Sequence, residues 1–570
     1  MFIFGHYAEH PAYSLKMSKF GSLTMSSLLF LVFSCLPTVH SETQAEHFAT
    51  LTTAANKANQ QQEPVTQGEF QPTWESLEKN YRFPEWFRDA KFGLWAHWGP
   101  QCAAEHGDWY ARNMYSQHDK KGGTNAVYQY HVEHYGHPSV FGFKDVIPTW
   151  KAEHWDPKEL LSFYKKCGAR YFMALANHHD NLDTWDSKYQ PWNSVNLGPH
   201  KDLMAGWAEA AKETGLHFGV SVHAARAWGW NSGTTNYDTE GPKTGVPYDG
   251  VQTTADGKGK WWEGLNPQDL YAQNHGPKDK PSAEYMTKFY NRTLDLVNRY
   301  HPEMLYFDDD ISRGLPLYGD DPTIGLRIAA HYYNSNMALH DGTLTAVIAA
   351  KKLTDDRKTC LLYDIERGGA ETILPQPWQT DTCIGSWHYD KGTGERNGYK
   401  KPETIIPMLA DIVSKNGNLM LSIPVRSDGS IDGNERKILE GIGNWLAVNG
   451  EAIYATRPWK IFGEGPPRED TAVPLATGEV KEKKVRPLDA SDVRFTTSRD
   501  GKWLYAIVCG VPQKEILIKA LGADSGKISS VELIGSSDKL QWTQKPEGLA
   551  IQPATKWPTP YAVAFKITLN

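Results

Sequence analysis

Cysteine is scarce, with six in 570 residues. No CxxC pair and no Cys/His spacing of the zinc type occurs, which excludes a disulfide-built scaffold and a structural zinc site. Cys35 falls in an N-terminal apolar run. The other five, Cys102, Cys167, Cys360, Cys383 and Cys509, are far apart in the chain. They leave room for one bridge whose pairing the sequence does not assign. An excess of positive charge is also missing. Lys plus Arg is 60 against 67 for Asp plus Glu, a formal net charge of −7, which excludes a dominantly basic nucleic-acid binder. No GxGxxG or Walker loop appears, which removes the commonest nucleotide-binding modes. Long apolar runs are absent after the first forty residues, so no stable membrane insertion is expected.

The N-terminal run is read as a targeting segment. Lys16 and Lys19 precede the apolar stretch Leu23–Leu36, and Val39, His40 and Ser41 follow it. A charged region, a short apolar core and small or polar residues make residues 1–41 a signal peptide cut after Ser41. The expected location is secreted or periplasmic. A lipoprotein anchor at Cys35 is the alternative, poorly served by Phe33. Residues 42–71 are polar, rich in Gln, Thr and Glu, and read as a flexible leader.

Aromatics are abundant, with 21 Trp, 27 Tyr and 20 Phe. Indole and phenol rings offer flat apolar faces with a polar handle, which matches the apolar C–H faces and polar rims of sugar rings. Aromatic core packing accounts for the same composition, so the count alone decides nothing.

From Trp74 onward, short β-like runs alternate with amphipathic helical stretches. The runs are 92–96, 171–176, 218–222, 304–307, 359–364 and 418–423. The helices are 157–167 capped by Asp156, 201–214 ending at Gly215, 282–300, 404–414 and 435–448. Repeated β-then-α means a parallel sheet covered by helices. The strand ends favour a closed barrel over an open sheet. One run after another ends in polar groups: His97; Asn177, His178, His179 and Asp180; His223 and Arg226; Asp308, Asp309 and Asp310; Glu366 and Arg367. A (β/α)8 barrel gathers all such ends at one mouth. Residues 72–459 are therefore a (β/α)8-type, TIM-like barrel of the α/β class. After a Gly-, Pro-, Glu- and Lys-rich stretch at 461–487, short β runs with a turn at Asp500-Gly501 make 460–570 a C-terminal antiparallel β-sandwich. Its expected role is a lid on the barrel, or alternatively a carbohydrate-binding module.

A mouth with carboxylates, imidazoles and indoles fits glycoside hydrolysis, which needs two carboxyl groups flanking the anomeric carbon. Asp308 and Glu366 follow different strands and are the pair expected to face each other, Asp308 attacking and Glu366 moving the proton. The run Asp308-Asp309-Asp310 also invites a metal reading, but successive strand residues point to opposite faces, so three in a row do not all aim inward. Imidazoles at His178-His179 donate to or accept from sugar hydroxyls. No cofactor and no metal are assigned.

Several segments together resemble the α-L-fucosidases of glycoside hydrolase family 29. They are Lys91–Gly99 (KFGLWAHWG), Asp108-Trp109-Tyr110, Asn177-His178-His179-Asp180 with Trp185 and Ser187-Lys188-Tyr189, Asp411–Leu419, Asn449–Tyr454 and Thr456–Trp459. The resemblance implies a retaining mechanism with an Asp nucleophile after the fourth strand, and Tyr306-Phe307-Asp308 selects Asp308. It implies that His97, His178 and His179 bind fucose hydroxyls and that Trp109 lines the pocket. His223 and Arg367, at strand ends, join the expected substrate-binding set. The expected partner is a fucosylated oligosaccharide or polysaccharide, and the activity that of an exo-acting α-L-fucosidase.

Two departures stand out. Where many family members carry the acid/base Glu in a Trp-Glu segment, this chain reads Trp378-Gln379-Thr380-Asp381, and neutral Gln transfers no proton. Glu366 is the acid/base candidate, with Asp381 in reserve. Asp108 stands where Glu is usual, one methylene shorter. Gln379 keeps a non-catalytic carbohydrate-binding protein in view. A metal-dependent hydrolase using His178, His179 and Asp308 is the third reading. A related α-L-glycosidase, such as an α-L-galactosidase, also fits a Trp-rich mouth drawn from Trp95, Trp98, Trp109, Trp185, Trp228 and Trp230.

Overall fold

The computed structural model describes residues 42–276, 278–308, 321–467, 479–481 and 486–569. The signal peptide expected at 1–41, Asp309 and Asp310 lie outside them, as does part of the linker expected at 461–487.

Among the described residues nine strands precede the C-terminal domain: β1 (Phe92–Ala96), β2 (Tyr171–Asn177), β3 (His217–Val222), β4 (Met304–Phe307), β5 (Val347–Ala350), β6 (Leu362–Glu366), β7 (Gly368–Ala370), β8 (Trp378–Cys383) and β9 (Gly417–Ser422). All but β7 close a parallel barrel in the order β1-β2-β3-β4-β5-β6-β8-β9. Two of the eight are not among the expected runs. β5 is only four residues of small and branched apolar side chains. β8 reads WQTDTC, polar because it lines the mouth and lumen, so it lacks the apolar signature of a buried parallel strand. The run expected at 359–364 starts later, because Arg357–Thr359 forms a 3-10 turn first.

The lumen is filled by Trp95, Tyr171, Met173, Met304, Tyr306, Val347, Ala349, Leu362 and Met420. Gly93 makes room there. A Cβ on it would sit 2.3 Å from the Tyr171 ring, well inside contact distance. Outside, the helices form as their sequences dictate. Asp156 accepts from the Glu159 N–H and Asp202 from the Ala205 N–H, each capping a helix start. Ser282 caps Ala283–Tyr300 in the same way. Asn291 on that helix matches an N-glycosylation sequon, but it is fully buried and donates to the Gln61 carbonyl at 2.8 Å.

Residues 42–71 are not a flexible leader. Gln44–Ala58 is a helix that buries Phe48 and Ala55, and the chain beyond it is pinned by side chains of other helices. Asn291 Oδ1 accepts from the Glu63 N–H at 2.9 Å, and Asn334 donates to the Phe70 carbonyl at 2.8 Å. Composition missed this because two Phe anchors and borrowed polar partners, not an apolar stripe, hold the segment.

The C-terminal domain begins with β10 (Arg457–Glu464), which starts before the boundary expected at 460, followed by β11 (Glu479–Lys481), β12 (Val493–Thr497), β13 (Leu504–Val508), β14 (Ile516–Ile518), β15 (Ile528–Leu533), β16 (Trp542–Lys545), β17 (Gly548–Ile551) and β18 (Val563–Leu569). A five-stranded antiparallel sheet, β10-β12-β13-β18-β15, accompanies a three-stranded one, β14-β17-β16. β11 pairs instead with β7. The domain packs on the outer helices: Tyr505, Ile507, Ala562 and Ala564 join the core outside the barrel wall, and Trp445 donates to the Ala562 carbonyl at 2.9 Å. It buttresses the barrel's flank. No disulfide forms among the described residues; the five described cysteines are buried thiols.

Candidate active site

Strand parity assembles the site. Alternate side chains face the lumen, and the lumen core contains Trp95 of β1, Tyr306 of β4, Ala349 of β5 and Leu362 of β6. Stepping on by two gives His97, Asp308 and Lys351, and from Leu362 first Asp364 and then Glu366. The same step of two from Tyr306 puts Asp308 on the lumen side.

Asp308 is the meeting point. His179 Nε2 lies 3.2 Å and His223 Nδ1 3.5 Å from its Oδ2. The Lys351 ammonium ion-pairs with its Oδ1 and reaches Glu366 Oε2 at 2.8 Å. Neither contact exceeds 2.8 Å, so the nearest oxygens of the two carboxylates are at most about 5.6 Å apart. Glycosidases whose second carboxylate attacks directly hold the groups about 5–5.5 Å apart, and those that insert a water about 6.5–9.5 Å. Asp308 and Glu366 share the one Lys351 ammonium.

Burial pushes the Asp308 carboxyl up, but Lys351 and hydrogen bonds from His179 and His223 outweigh it and hold it well below the usual carboxylate range. Burial likewise opposes the Lys351 charge, and the carboxylates of Asp308, Asp381, Glu366 and Asp364 more than restore it. The imidazoles go the other way. Burial first, then neighbouring histidines, holds His97 and His178 well below the ordinary imidazole value. Burial also brings His223 down to about 4, against the pull of Asp308. At neutral pH these three rings are uncharged, able both to donate and to accept, as sugar hydroxyls require.

The expected residues divide. His97, His178, His179 and His223 are all buried and mutually close, with ring centroids 4.4 Å apart for His178–His179 and 4.9 Å for His178–His223. His97 Nδ1 is tied to Ser422 Oγ at 3.1 Å and His178 Nδ1 to Gln101 at 2.8 Å. His179 Nδ1 meets the His223 carbonyl at 2.9 Å, so that nitrogen carries the hydrogen. Glu366 stands at the mouth with 40% of its side chain exposed.

Asp381 lies one layer lower, fully buried, accepting from the Tyr306 hydroxyl at 3.0 Å. Burial pushes it up, and burial plus the Asp381 charge pushes Asp364 well up. Gln379 spans the lumen beneath them, donating to Asp364 at 2.7 Å and accepting from Tyr171 at 3.0 Å. Its place is therefore in the barrel's internal scaffold.

Asp108 Oδ1 accepts from the His388 backbone N–H at 2.8 Å. Trp109 stands on the rim, 43% exposed, beneath Arg112. Arg367 has φ +49°, a strained setting for a long side chain. It turns its guanidinium over Trp387, 4.9 Å from the ring centre, and not toward Asp308.

The indoles expected at the mouth also divide. Trp95 lies under His97 at 3.8 Å, and Trp230 lies 5.6 Å from His179. Trp98 instead packs on Trp150, and Trp185 is buried with its N–H on Asp295. Both follow strand ends, but their loops fold back onto the outer helices.

Sequence reasoning missed Lys351, Trp387 and His388. Trp387 packs 4.8 Å from His97. His388 is buried 4.7 Å from His178; among the described residues neither ring nitrogen is hydrogen-bonded, and Nδ1 lies 3.8 Å from Asp108 Oδ1. Recognising β5 would have delivered Lys351 by parity; the other two sit on a loop, where no period applies. Nitrogens of His178, His179 and His223 come within 4.8 Å of one another, close enough to share a cation.

A closed (β/α)8 barrel carrying two lysine-bridged carboxylates among neutral imidazoles and indoles defines a glycoside hydrolase. A family model described as alpha-L-fucosidase matches residues 57–451, and one for the alpha-L-fucosidase C-terminal domain matches 488–568. An alpha-L-fucosidase of Branchiostoma floridae is 26% identical over 509 residues, covering 86% of this chain and 92% of its own. The plasma alpha-L-fucosidase of Homo sapiens is 25% identical over 491 residues, covering 83% and 86%. Among solved structures, a Thermotoga maritima alpha-L-fucosynthase complex superposes with a TM-score of 0.63 at 24% identity, over 88% of this chain and all of its own. A trapped covalent intermediate of a Bacteroides thetaiotaomicron alpha-L-fucosidase gives 0.55 at 16% identity, over 89% and 99%. The chain belongs to the α-L-fucosidase family, glycoside hydrolase family 29.

Proposed function

We propose that this protein is an exported, exo-acting α-L-fucosidase that releases terminal α-L-fucosyl residues with net retention. The observation that carries the reading is the Lys351 bridge, which ties Asp308 and Glu366 to one cation and so supports a close pair suited to direct attack. Asp308, held ionised, attacks C1 and forms a β-fucosyl ester. Glu366 gives its proton to the departing oxygen, then takes one from the water that cleaves the ester. Neutral His97, His178 and His223 bind ring hydroxyls, and Trp387 and Trp230 offer the apolar wall that a C6 methyl needs. The covalent intermediate named for a structure of this fold supports the same chemistry. Export rests on the Lys16, Lys19 and Leu23–Leu36 pattern. Among the described residues no helix is long and apolar enough to cross a membrane.

Proton NMR of aryl α-L-fucoside hydrolysis tests the mechanism, with α-L-fucose expected first and β-L-fucose first overturning it. Glu366 is favoured as acid/base because it is half-exposed at the mouth, whereas Asp381 is buried under Tyr306. Glu366→Gln is expected to cut turnover of an alkyl fucoside by about 10²–10³-fold. A dinitrophenyl fucoside, whose leaving group needs no proton, is expected to form the ester almost unhindered. Equal losses on both substrates transfer the role elsewhere, Asp381 first.

A further inference from the structure

Beneath Asp308 and Glu366 lies a second pair of carboxyl groups with no part in the steps above. Asp364 and Asp381 stand on the neighbouring strands β6 and β8, whose register sets Asp364 beside Gln379 and Glu366 beside Asp381. No more than 2% of either residue is exposed, so neither meets solvent or substrate.

The hydrogen bonds around the pair account for every oxygen but two. Tyr306 donates to Asp381 Oδ2 at 3.0 Å. Tyr171 donates to Gln379 Oε1 at 3.0 Å, which turns the Gln379 amide hydrogens toward Asp364, and Nε2 donates to Asp364 Oδ2 at 2.7 Å. Asp364 Oδ1 and Asp381 Oδ1 have no donor among the described residues. The two carboxyls are hydrogen-bonded to each other. A carboxylate has no hydrogen to give, so that bond exists only when one of them is protonated. Two ionised carboxylates sharing so dry a site repel, which favours the same state. The hydrogen sits on Asp364, where burial and then the Asp381 charge favour the neutral form, whereas on Asp381 the Lys351 cation opposes burial. The charged and titratable groups around the pair are Lys351 of β5, Asp308 and Tyr306 of β4, Glu366 of β6 and Tyr171 of β2. Burial pushes both phenols well up, so only Lys351 and the carboxyls carry charge.

We propose that Asp364 and Asp381 share one proton and act as a positioning pair, a unit of single negative charge that anchors Lys351 from below. The role rests on the retaining mechanism proposed above, in which Asp308 loses its charge to the ester as Glu366 gains one by giving up its proton. With one carboxylate above it at each stage and a fixed charge beneath, the ammonium keeps its place through both steps.

Asparagine matches either member in shape and offers an N–H where the shared hydrogen lay. In Asp364→Asn the amide donates to Asp381 and still accepts from Gln379. In Asp381→Asn it donates to Asp364, which then carries the charge, and still accepts from Tyr306. Either variant keeps one negative charge, and only the double variant removes it. Infrared difference spectra of the full chain at neutral pH read the protonated carboxyl directly. Each single variant is expected to lose the band of one protonated carboxyl, and the double variant no more than one. In the kcat/KM profile on an aryl α-L-fucoside, both limbs are expected to stay within about 0.3 pH unit in the single variants. In the double variant Asp308 and Glu366 ionise more readily without the charge beneath them, so both limbs move to lower pH, by about one unit. No band lost in any variant means an ionised pair, and a second band lost in the double variant means a fully protonated one. Either overturns the proposal, as does a double variant whose limbs stay in place. Asp364→Asn with Asp381→Ser serves if the first double variant does not fold. Loss of all turnover in Asp381→Asn counts against Glu366 as the acid/base, while the band still judges the pair.

Discussion

Replacing Asp308 by glycine is expected to lower kcat on an aryl α-L-fucoside by at least about 10³-fold, the scale of losing a group that makes the bond. Added azide should restore part of the turnover and yield β-L-fucosyl azide. The anion enters where the carboxylate stood, forms the bond to C1 from the same face, and the aryloxide leaves with the electron pair. The product is informative because only a residue positioned behind the anomeric carbon leaves room for an attack of that geometry. An α-configured azide, or a variant with near-normal activity and no azide response, removes Asp308 from the nucleophile's place. Glu366→Gly provides the contrast: an anion entering on its side gives the α-azide after the ester has formed.

Lys351→Met carries the second large expectation, a fall of about 10²-fold in kcat/KM, the scale of losing one oriented charge from a site. The ammonium is the cation shared by Asp308 and Glu366, with Asp364 and Asp381 beneath. Without it the buried Asp308 loses what holds its carboxyl low, so its pKa rises. The ionised form is the active one, and the acid limb of the kcat/KM profile should therefore move to higher pH. Lys351→Arg, which keeps the charge, should return the limb most of the way. A purely structural role would lower the melting temperature and leave the limb in place. An unmoved limb in Lys351→Met therefore removes the electrostatic role.

Much of this protein is legible in the chain itself. The alternation of short apolar runs with capped amphipathic helices fixes a parallel sheet wrapped in helices, because parallel strands need crossovers and both sheet faces need cover. Strand ends loaded with His97, His178, His179, His223, Asp308 and Glu366 point to one crowded mouth, since a closed barrel brings all those ends together. The family resemblance, through Tyr306-Phe307-Asp308, separates Asp308 from its neighbours. Tertiary structure decided the rest. β5 and β8 are recognisable only once the barrel supplies partners on both sides, and with them come Lys351 and the buried roles of Gln379 and Asp381. His388 and Trp387 reach the histidines through a loop whose path depends on a hydrogen bond to Asp108, 280 residues earlier in the chain. The segment that follows the N-terminal helix orders because Asn291 and Asn334 supply hydrogen-bond partners that no local pattern encodes. Local sequence sets which face a residue takes on its own strand or helix, whereas which residues meet across the lumen depends on long-range closure, which only the folded chain provides.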